Sequence, residues 1–169
     1  MEIIQKKVCL MGDFAVGKTS LIRRFVEGQF QDRYLSTIGV SISRKTIQRD
    51  HHRLNLLLWD LAGGDEFVNY QTSYLRGAAG ALVVCDITRK ETLKDLARYA
   101  EQIRKVNPDS CLVFLANKVD LEDRFEIESS DLTMLASTWN CPFVLTSAKT
   151  GQQVDEAFHL LAEQVEPSP

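Results

Sequence analysis

Short apolar runs alternate along the whole chain with stretches in which apolar residues recur every three or four positions. This is the pattern of a sheet covered by helices on its faces. Val8-Cys9-Leu10-Met11 is a first buried strand, closed by Gly12. From Lys18 to Glu27 the apolar positions Leu21, Ile22, Phe25 and Val26 keep helical spacing, and Gly28 stands where a helix would stop. Ile38–Arg49 and Arg53–Trp59 read as an antiparallel hairpin turning at Asp50-His51-His52. In its second arm Leu54, Leu56 and Leu58 share one face, and Asn55, Leu57 and Trp59 share the other. Ala78–Ile87 is nearly all apolar, as in a central strand covered on both sides. Thr88-Arg89-Lys90-Glu91 has the form of a capping box opening a helix with the stripe Leu93, Leu96, Ala100 and Ile103. Cys111–Ala116 is another buried strand, followed by a helix near Ser130–Thr138 and a short strand at Phe143–Leu145. Thr150-Gly151-Gln152-Gln153 resembles a second capping box, before a last helix lined by Val154, Phe158, Leu161 and Val165. The pattern predicts one α/β domain over residues 1–169, three-layered, with about six mostly parallel strands and about five helices. In such sheets ligands bind in the loops beyond the carboxyl ends of the strands.

One such loop carries chemistry. Gly12-Asp13-Phe14-Ala15-Val16-Gly17-Lys18-Thr19, with Ser20 after it, lies between the first strand and the first helix and matches the P-loop pattern. Glycines let the backbone curl so that successive N–H groups face phosphate oxygens, and the helix N-terminus adds its positive end. Lys18 is expected to reach the β- and γ-phosphates, and the Thr19 hydroxyl to hold Mg²⁺. The fold expected is therefore that of a P-loop NTPase. The motif by itself does not choose the base, and a nucleotide kinase is the alternative at this point.

Two later loops choose it. Asn117-Lys118-Val119-Asp120 follows the Cys111–Ala116 strand. The Asp120 carboxylate offers two acceptors side by side to the two neighbouring N–H donors on the edge of guanine, where adenine presents an acceptor. A site of this kind rejects the wrong ligand by about 10⁴-fold. The Lys118 stem can lie along the base plane, and Asn117 can brace this loop against the phosphate loop. Ser147-Ala148-Lys149 follows the last strand, where a backbone N–H near Ala148 could donate to the guanine carbonyl. GTP and GDP are the ligands expected, and the kinase alternative recedes.

Charge and cysteines narrow the setting. The net charge is −3 and the 20 Lys and Arg are dispersed, so no basic stripe for nucleic acid or anionic lipid emerges. Cys9, Cys85, Cys111 and Cys141 lie apart in apolar surroundings, away from His51, His52 and His159. Buried free thiols in a reducing, cytoplasmic compartment are expected, and a zinc site is not. No stretch reaches the length of a membrane span, and Glu166-Pro167-Ser168-Pro169 carries no prenylation cysteine. The chain is expected to be soluble without an intrinsic membrane anchor.

The elements in this order resemble the Ras superfamily over essentially the whole chain, with the Rab branch the nearest in character. Trp59-Asp60-Leu61-Ala62-Gly63-Gly64-Asp65-Glu66-Phe67 looks like its second-switch motif. Arg76-Gly77-Ala78-Ala79-Gly80-Ala81 and Asp86-Ile87-Thr88 look like its signature stretches. The resemblance implies that Phe30 packs on guanine, that Tyr34 covers the phosphates, and that Thr37 binds Mg²⁺ and the γ-phosphate. It further implies that Asp60 holds the metal through water and that the Gly63 N–H senses the γ-phosphate. Thr37 follows a polar stretch, Gln31–Ser36, loose enough to order and disorder. The implied function is GTP hydrolysis by a switch that binds effectors, an exchange factor and an activating protein. Lys18, Thr37, Gly63 and Gly64 stand at the catalytic positions.

Three departures from the family pattern stand out. Gly64 replaces the glutamine that orients the attacking water, and Phe14 replaces a small residue beside the space of a partner's arginine. Slow hydrolysis is expected, with Asp65 or Glu66 positioning the water as the competing view. A nucleotide-binding module with negligible turnover is the alternative function. Ile42 stands where Rab-type members carry an aromatic, beside Trp59 and Tyr74, which serve either an effector surface or, for Trp59, the core.

Overall fold

The computed structural model describes residues 1–26, 33–35, 40–61 and 68–167, and side chains outside 33–35 and 68–71. The elements are β1 (Glu2–Gly12), α1 (Lys18–Val26), β2 (Arg33–Leu35), β3 (Ser41–Gln48), β4 (His52–Asp60), α2 (Val68–Leu75), β5 (Ala78–Asp86), α3 (Leu93–Val106), β6 (Cys111–Asn117), α4 (Ser129–Thr138), β7 (Phe143–Thr146) and α5 (Val154–Val165). The strands form one sheet in the order β2-β3-β4-β1-β5-β6-β7. β1 runs parallel to β4 and β5, β6 joins β5 in parallel, and β7 joins β6 in parallel. Only β2, β3 and β4 pair antiparallel. The α/β class and the mostly parallel sheet are those expected, with the three-residue β2 added at the edge.

The apolar runs explain the middle of the sheet. Along β1, Cys9 and Met11 point to one face and Val8 and Leu10 to the other, and all four are buried. The first face packs on α2, α3 and α4 through Leu75, Leu96, Ala100, Ile103 and Leu132. The second packs on α1 and α5 through Leu21, Phe25, Val154, Phe158 and Leu161. Phe25 stacks on Phe158 with ring centroids 4.2 Å apart and planes 10° apart, locking α1 to α5. Leu54, Leu56 and Leu58 are buried as their alternation predicts. Among the described residues no helix is long and apolar enough to cross a membrane.

Neither predicted capping box forms. The Thr88 hydroxyl donates to the buried Asp86 Oδ1 at 2.6 Å, and Thr88 lies one residue before the N-cap of the turn that follows. The chain instead enters α3 through a 3₁₀ turn at Lys90–Thr92, and Arg89, its N-cap, makes no side-chain cap bond. α5 is likewise entered without a side-chain cap, from Gln153 at φ 53°. The box that does form opens α4, where Glu128 and Asp131 each accept from the other's backbone N–H.

Candidate functional site

Strand register brings the motif residues to one edge. Leu10 pairs with Asp60, Gly12 with Val84, Asp86 with Asn117, and Asn117 with Thr146. The carboxyl ends of five parallel strands therefore form a single rim, where the phosphate loop and the two base-side loops meet.

Gly12 leaves β1 so close to β5 that a Cβ there would stand 2.5 Å from the Val84 carbonyl oxygen. Gly17 lies at φ 105°, and its Cβ would collide with Asn117 Nδ2. Lys18 opens α1 with its side chain folded back, its ammonium donating to the Gly12 and Asp13 carbonyls at 3.1 and 3.2 Å. Burial pushes its pKa below the ordinary lysine value, and the Asp60 and Asp13 carboxylates oppose that shift. The Thr19 hydroxyl donates to Asp60 Oδ2. Asp13 Oδ1 accepts the Phe14 N–H at 2.8 Å, which tightens the loop's first turn. The Phe14 ring is 78% exposed, standing off the crest instead of entering the core. Ala15 adopts φ 62° although it carries a Cβ.

Asn117 is buried, and its amide joins three loops. Nδ2 donates to the Val16 carbonyl at 2.9 Å, while Oδ1 accepts from the Ala148 N–H and the Thr146 hydroxyl, both at 3.2 Å. The bracing expected of this residue is thus present in its bonds. Asp120 Oδ1 accepts the Ser147 hydroxyl at 2.7 Å, which leaves Oδ2 for another donor. Ser147 Oγ in turn accepts the Thr150 N–H at 3.1 Å. Gly17, Ser20, Asn117, Lys118, Asp120, Leu121, Ala148 and Lys149 line a cavity of about 360 Å³. Its walls combine the start of α1 with both base-side loops.

Sequence reasoning assigned no role to one more charged group. Asp86, at the end of β5, is buried and accepts from the Thr88 N–H and hydroxyl on Oδ1. On Oδ2 it meets Lys118 Nζ at 2.9 Å and Arg89 Nε at 3.1 Å. Burial pushes the Asp86 carboxyl up, but the bonds from Thr88, Lys118 and Arg89 outweigh it and hold the pKa below the ordinary carboxylate value. The signal was an aspartate ending an apolar strand, three residues before an arginine.

Phe30, Thr37, Gly63 and Gly64, with Gly28, Asp65, Glu66 and Phe67, lie outside the described residues. Of Tyr34 the backbone is described, and it pairs with Ile42. Ile42 faces Trp59 across β3 and β4, and both are partly buried against the core. The Lys7 ammonium lies 3.8 Å from the centroid of the Trp59 ring. Tyr74 is buried within the core.

The donor set suits one class of metal. Thr19 and Asp60 offer a hydroxyl and a carboxylate side by side, hard oxygens of the kind Mg²⁺ accepts while keeping water and phosphate as its remaining ligands. Among the described residues no group of three or more His, Cys, Asp or Glu could hold a metal alone. A site of this type needs its ligand's phosphates to be complete.

The chain is similar to known proteins along nearly its whole length. The model of the family described as Ras family matches residues 7–167. Ras-related protein Rab-22A of Mus musculus is 37% identical over 166 residues, which cover 98% of this chain and 86% of that protein. Ras-related protein Rab-1C of Dictyostelium discoideum is 35% identical over 163 residues, or 96% of this chain and 81% of that protein. Ras-related protein Rab-31 of Rattus norvegicus is 34% identical over 168 residues, or 99% and 86%. With a braced phosphate loop, a carboxylate in the base-side cavity and relatives of this kind along nearly its whole length, the chain belongs to the Ras family of small GTP-binding proteins.

Proposed function

We propose that this chain is a guanine-nucleotide switch that binds GTP and GDP with Mg²⁺ and hydrolyses GTP slowly. The observation that carries the proposal is Asn117, whose one amide ties the Val16 carbonyl of the phosphate loop to the Ala148 N–H of the base-side loop. Phosphate recognition and base recognition are thereby held at a fixed separation. Asp120, fixed by Ser147 with Oδ2 still free, is suited to take the paired donors of guanine. Ala148 and Lys118 border the same cavity.

At the phosphates, the N–H groups from Asp13 to Ser20 would bind the oxygens, and Lys18 would place its ammonium among them. Thr19 and Asp60 are the described residues that would hold Mg²⁺, with Thr37 as a further ligand. When bound, that ion would offset the negative charge of the phosphates. Thr37 and Gly63 would be drawn to the γ-phosphate, ordering two loops into a surface for protein effectors, and would let go after hydrolysis. An exchange factor and an activating protein would act on the same loops.

Slow turnover rests on two residues. Gly64 has no side chain to orient a water, and Phe14 carries a bulky, exposed ring at the crest of the phosphate loop. An activating partner that supplies the missing group in trans would raise the rate about 10³–10⁵-fold. Titration with fluorescent GDP and GTP, competition by ATP, and a single-turnover hydrolysis course test the proposal together. Guanine nucleotides should bind and ATP should not compete, Asp120→Ala should erase that preference, and Gly64→Gln should speed hydrolysis. Wild-type hydrolysis as fast as that of the Gly64→Gln variant would refute slow turnover. No phosphate release by either form over hours would favour a binding module with negligible turnover.

A further inference from the structure

Two cations grip the outer side of the phosphate loop, and one of them lies outside the loops assigned to phosphate and base. Arg89 Nη2 donates to the Phe14 carbonyl at 2.8 Å. Lys118 Nζ donates to the next carbonyl, that of Ala15, also at 2.8 Å. Both cations are anchored on the same oxygen, Asp86 Oδ2. Asp86 is itself 2% exposed, with its other oxygen taken by Thr88. Arg89 is therefore a fork with one nitrogen on a buried carboxylate and another on the crest of the loop. Its planar guanidinium reaches the two partners through two nitrogens held at a fixed angle, whereas Lys118 bridges its two partners through one.

The consequence follows from peptide geometry. No peptide bond among the described residues is cis, and a trans peptide directs its N–H opposite to its C=O. Holding the Phe14 carbonyl toward Arg89 turns the Ala15 N–H away from it, and Lys118 does the same for the Val16 N–H. Ala15 at φ 62° is a conformation an L residue adopts at a cost of about 1 kcal/mol or more, and it persists only where its surroundings over-determine it. The two charge-assisted bonds on either side of this residue supply that determination. Asp86 is shared by Arg89 and Lys118 and offsets only part of their charge, while the direct contact of Arg89 with the loop is the Phe14 carbonyl, through which it sets the direction of a peptide.

We infer that Arg89 is a positioning residue for phosphate binding, holding the Phe14–Ala15 peptide so that its N–H meets a phosphate oxygen. The inference rests on the guanine-nucleotide function proposed above. Competition of guanosine and of GDP against fluorescent GDP, with Mg²⁺ and the whole chain, tests it in wild type, Arg89→Gln and Arg89→Lys. Arg89→Gln should weaken GDP about tenfold, in keeping with one charge-assisted bond, and guanosine less than twofold. Arg89→Lys keeps the pair with Asp86 but loses the fork, and should weaken GDP about threefold with guanosine again spared. If Arg89→Gln fails to fold, the lysine variant decides. An equal loss for guanosine and GDP, or no loss for either, overturns the positioning role. A wild-type chain that ignores GDP would end the function proposal as well, whereas binding with unaltered ratios ends this inference alone.

Discussion

Gly17 is under two independent constraints, and they can be separated. Its φ of 105° is strained for any side chain, and its Cβ would strike the Asn117 amide that bridges three loops. The conformational part costs about 1–3 kcal/mol. The collision adds the loss of Asn117 bonds to buried groups, about 1–3 kcal/mol for each group left unpaired. Gly17→Ala should therefore destabilise the chain by several kcal/mol and abolish nucleotide binding. Asn117→Ala alone should cost about as much as its lost bonds. In the double variant the collision has already gone, so the two costs should fall short of their sum by more than about 1 kcal/mol in urea denaturation. Additive costs would mean that the glycine is needed for its backbone alone.

At the scale of elements, hydrophobic periodicity was a good guide wherever both faces or one stripe of an element is buried. The stripes of α1 and α5 and the alternation of β4 are where the apolar spacing put them. Three features escaped. β2 is three residues in a polar stretch, held by backbone pairing that leaves no mark in side-chain pattern. The α4 cap is Glu128, an acidic residue that reads as a solvated surface charge. Thr88 reads as a helix cap because sequence does not reveal that the turn starts one residue later, with Arg89 as its N-cap. The loops proposed to bind phosphate and base stand out in the sequence because such motifs set particular residue types at fixed spacing. Arg89 does not, because its partner Phe14 is 75 residues away. One long-range contact between elements can be measured directly. Arg49, just past β3, pairs with Glu166, at the end of α5, at 2.7 Å, with both side chains partly buried. An acidic side chain at a helix C-terminus is otherwise unfavourable, so the pair offsets an intrinsic cost. Glu166→Ala should lower stability by about 0.5–1 kcal/mol in low salt and by less in 1 M salt. It should also speed amide exchange at the hairpin turn, and unchanged exchange there would show that α5 does not restrain the hairpin.

Across the whole molecule the sheet does two jobs, gathering the site on one rim and excluding water from the interior that supports it. That exclusion should appear as a dependence of stability on pH. Cys9 on β1 and Cys85 on β5 are both fully buried beneath α2 and α3. Burial pushes the Cys9 thiol from 9.0 up to about 12, slightly opposed by Lys7. Burial, helped by the neighbouring Asp86 charge, does the same for Cys85, also to about 12. Below pH 9 both thiols are protonated in the folded and unfolded chain, so their contribution to stability is fully present. Above it the unfolded chain releases protons that the folded chain keeps, and stability falls until the folded thiols ionise near pH 12. Each thiol accounts for a slope of about 1.4 kcal/mol per pH unit within that window. A Cys9→Ala/Cys85→Ala variant is expected to be less stable than wild type at pH 8, because it loses packing. Its stability should then fall less steeply, so that the gap narrows by about 3 kcal/mol by pH 10. Groups distant from the two thiols contribute alike to both forms and cancel in the comparison. A gap of constant size in denaturant unfolding at the two pH values would mean that water reaches these thiols in the folded state, and that the sheet is less sealed than its packing implies.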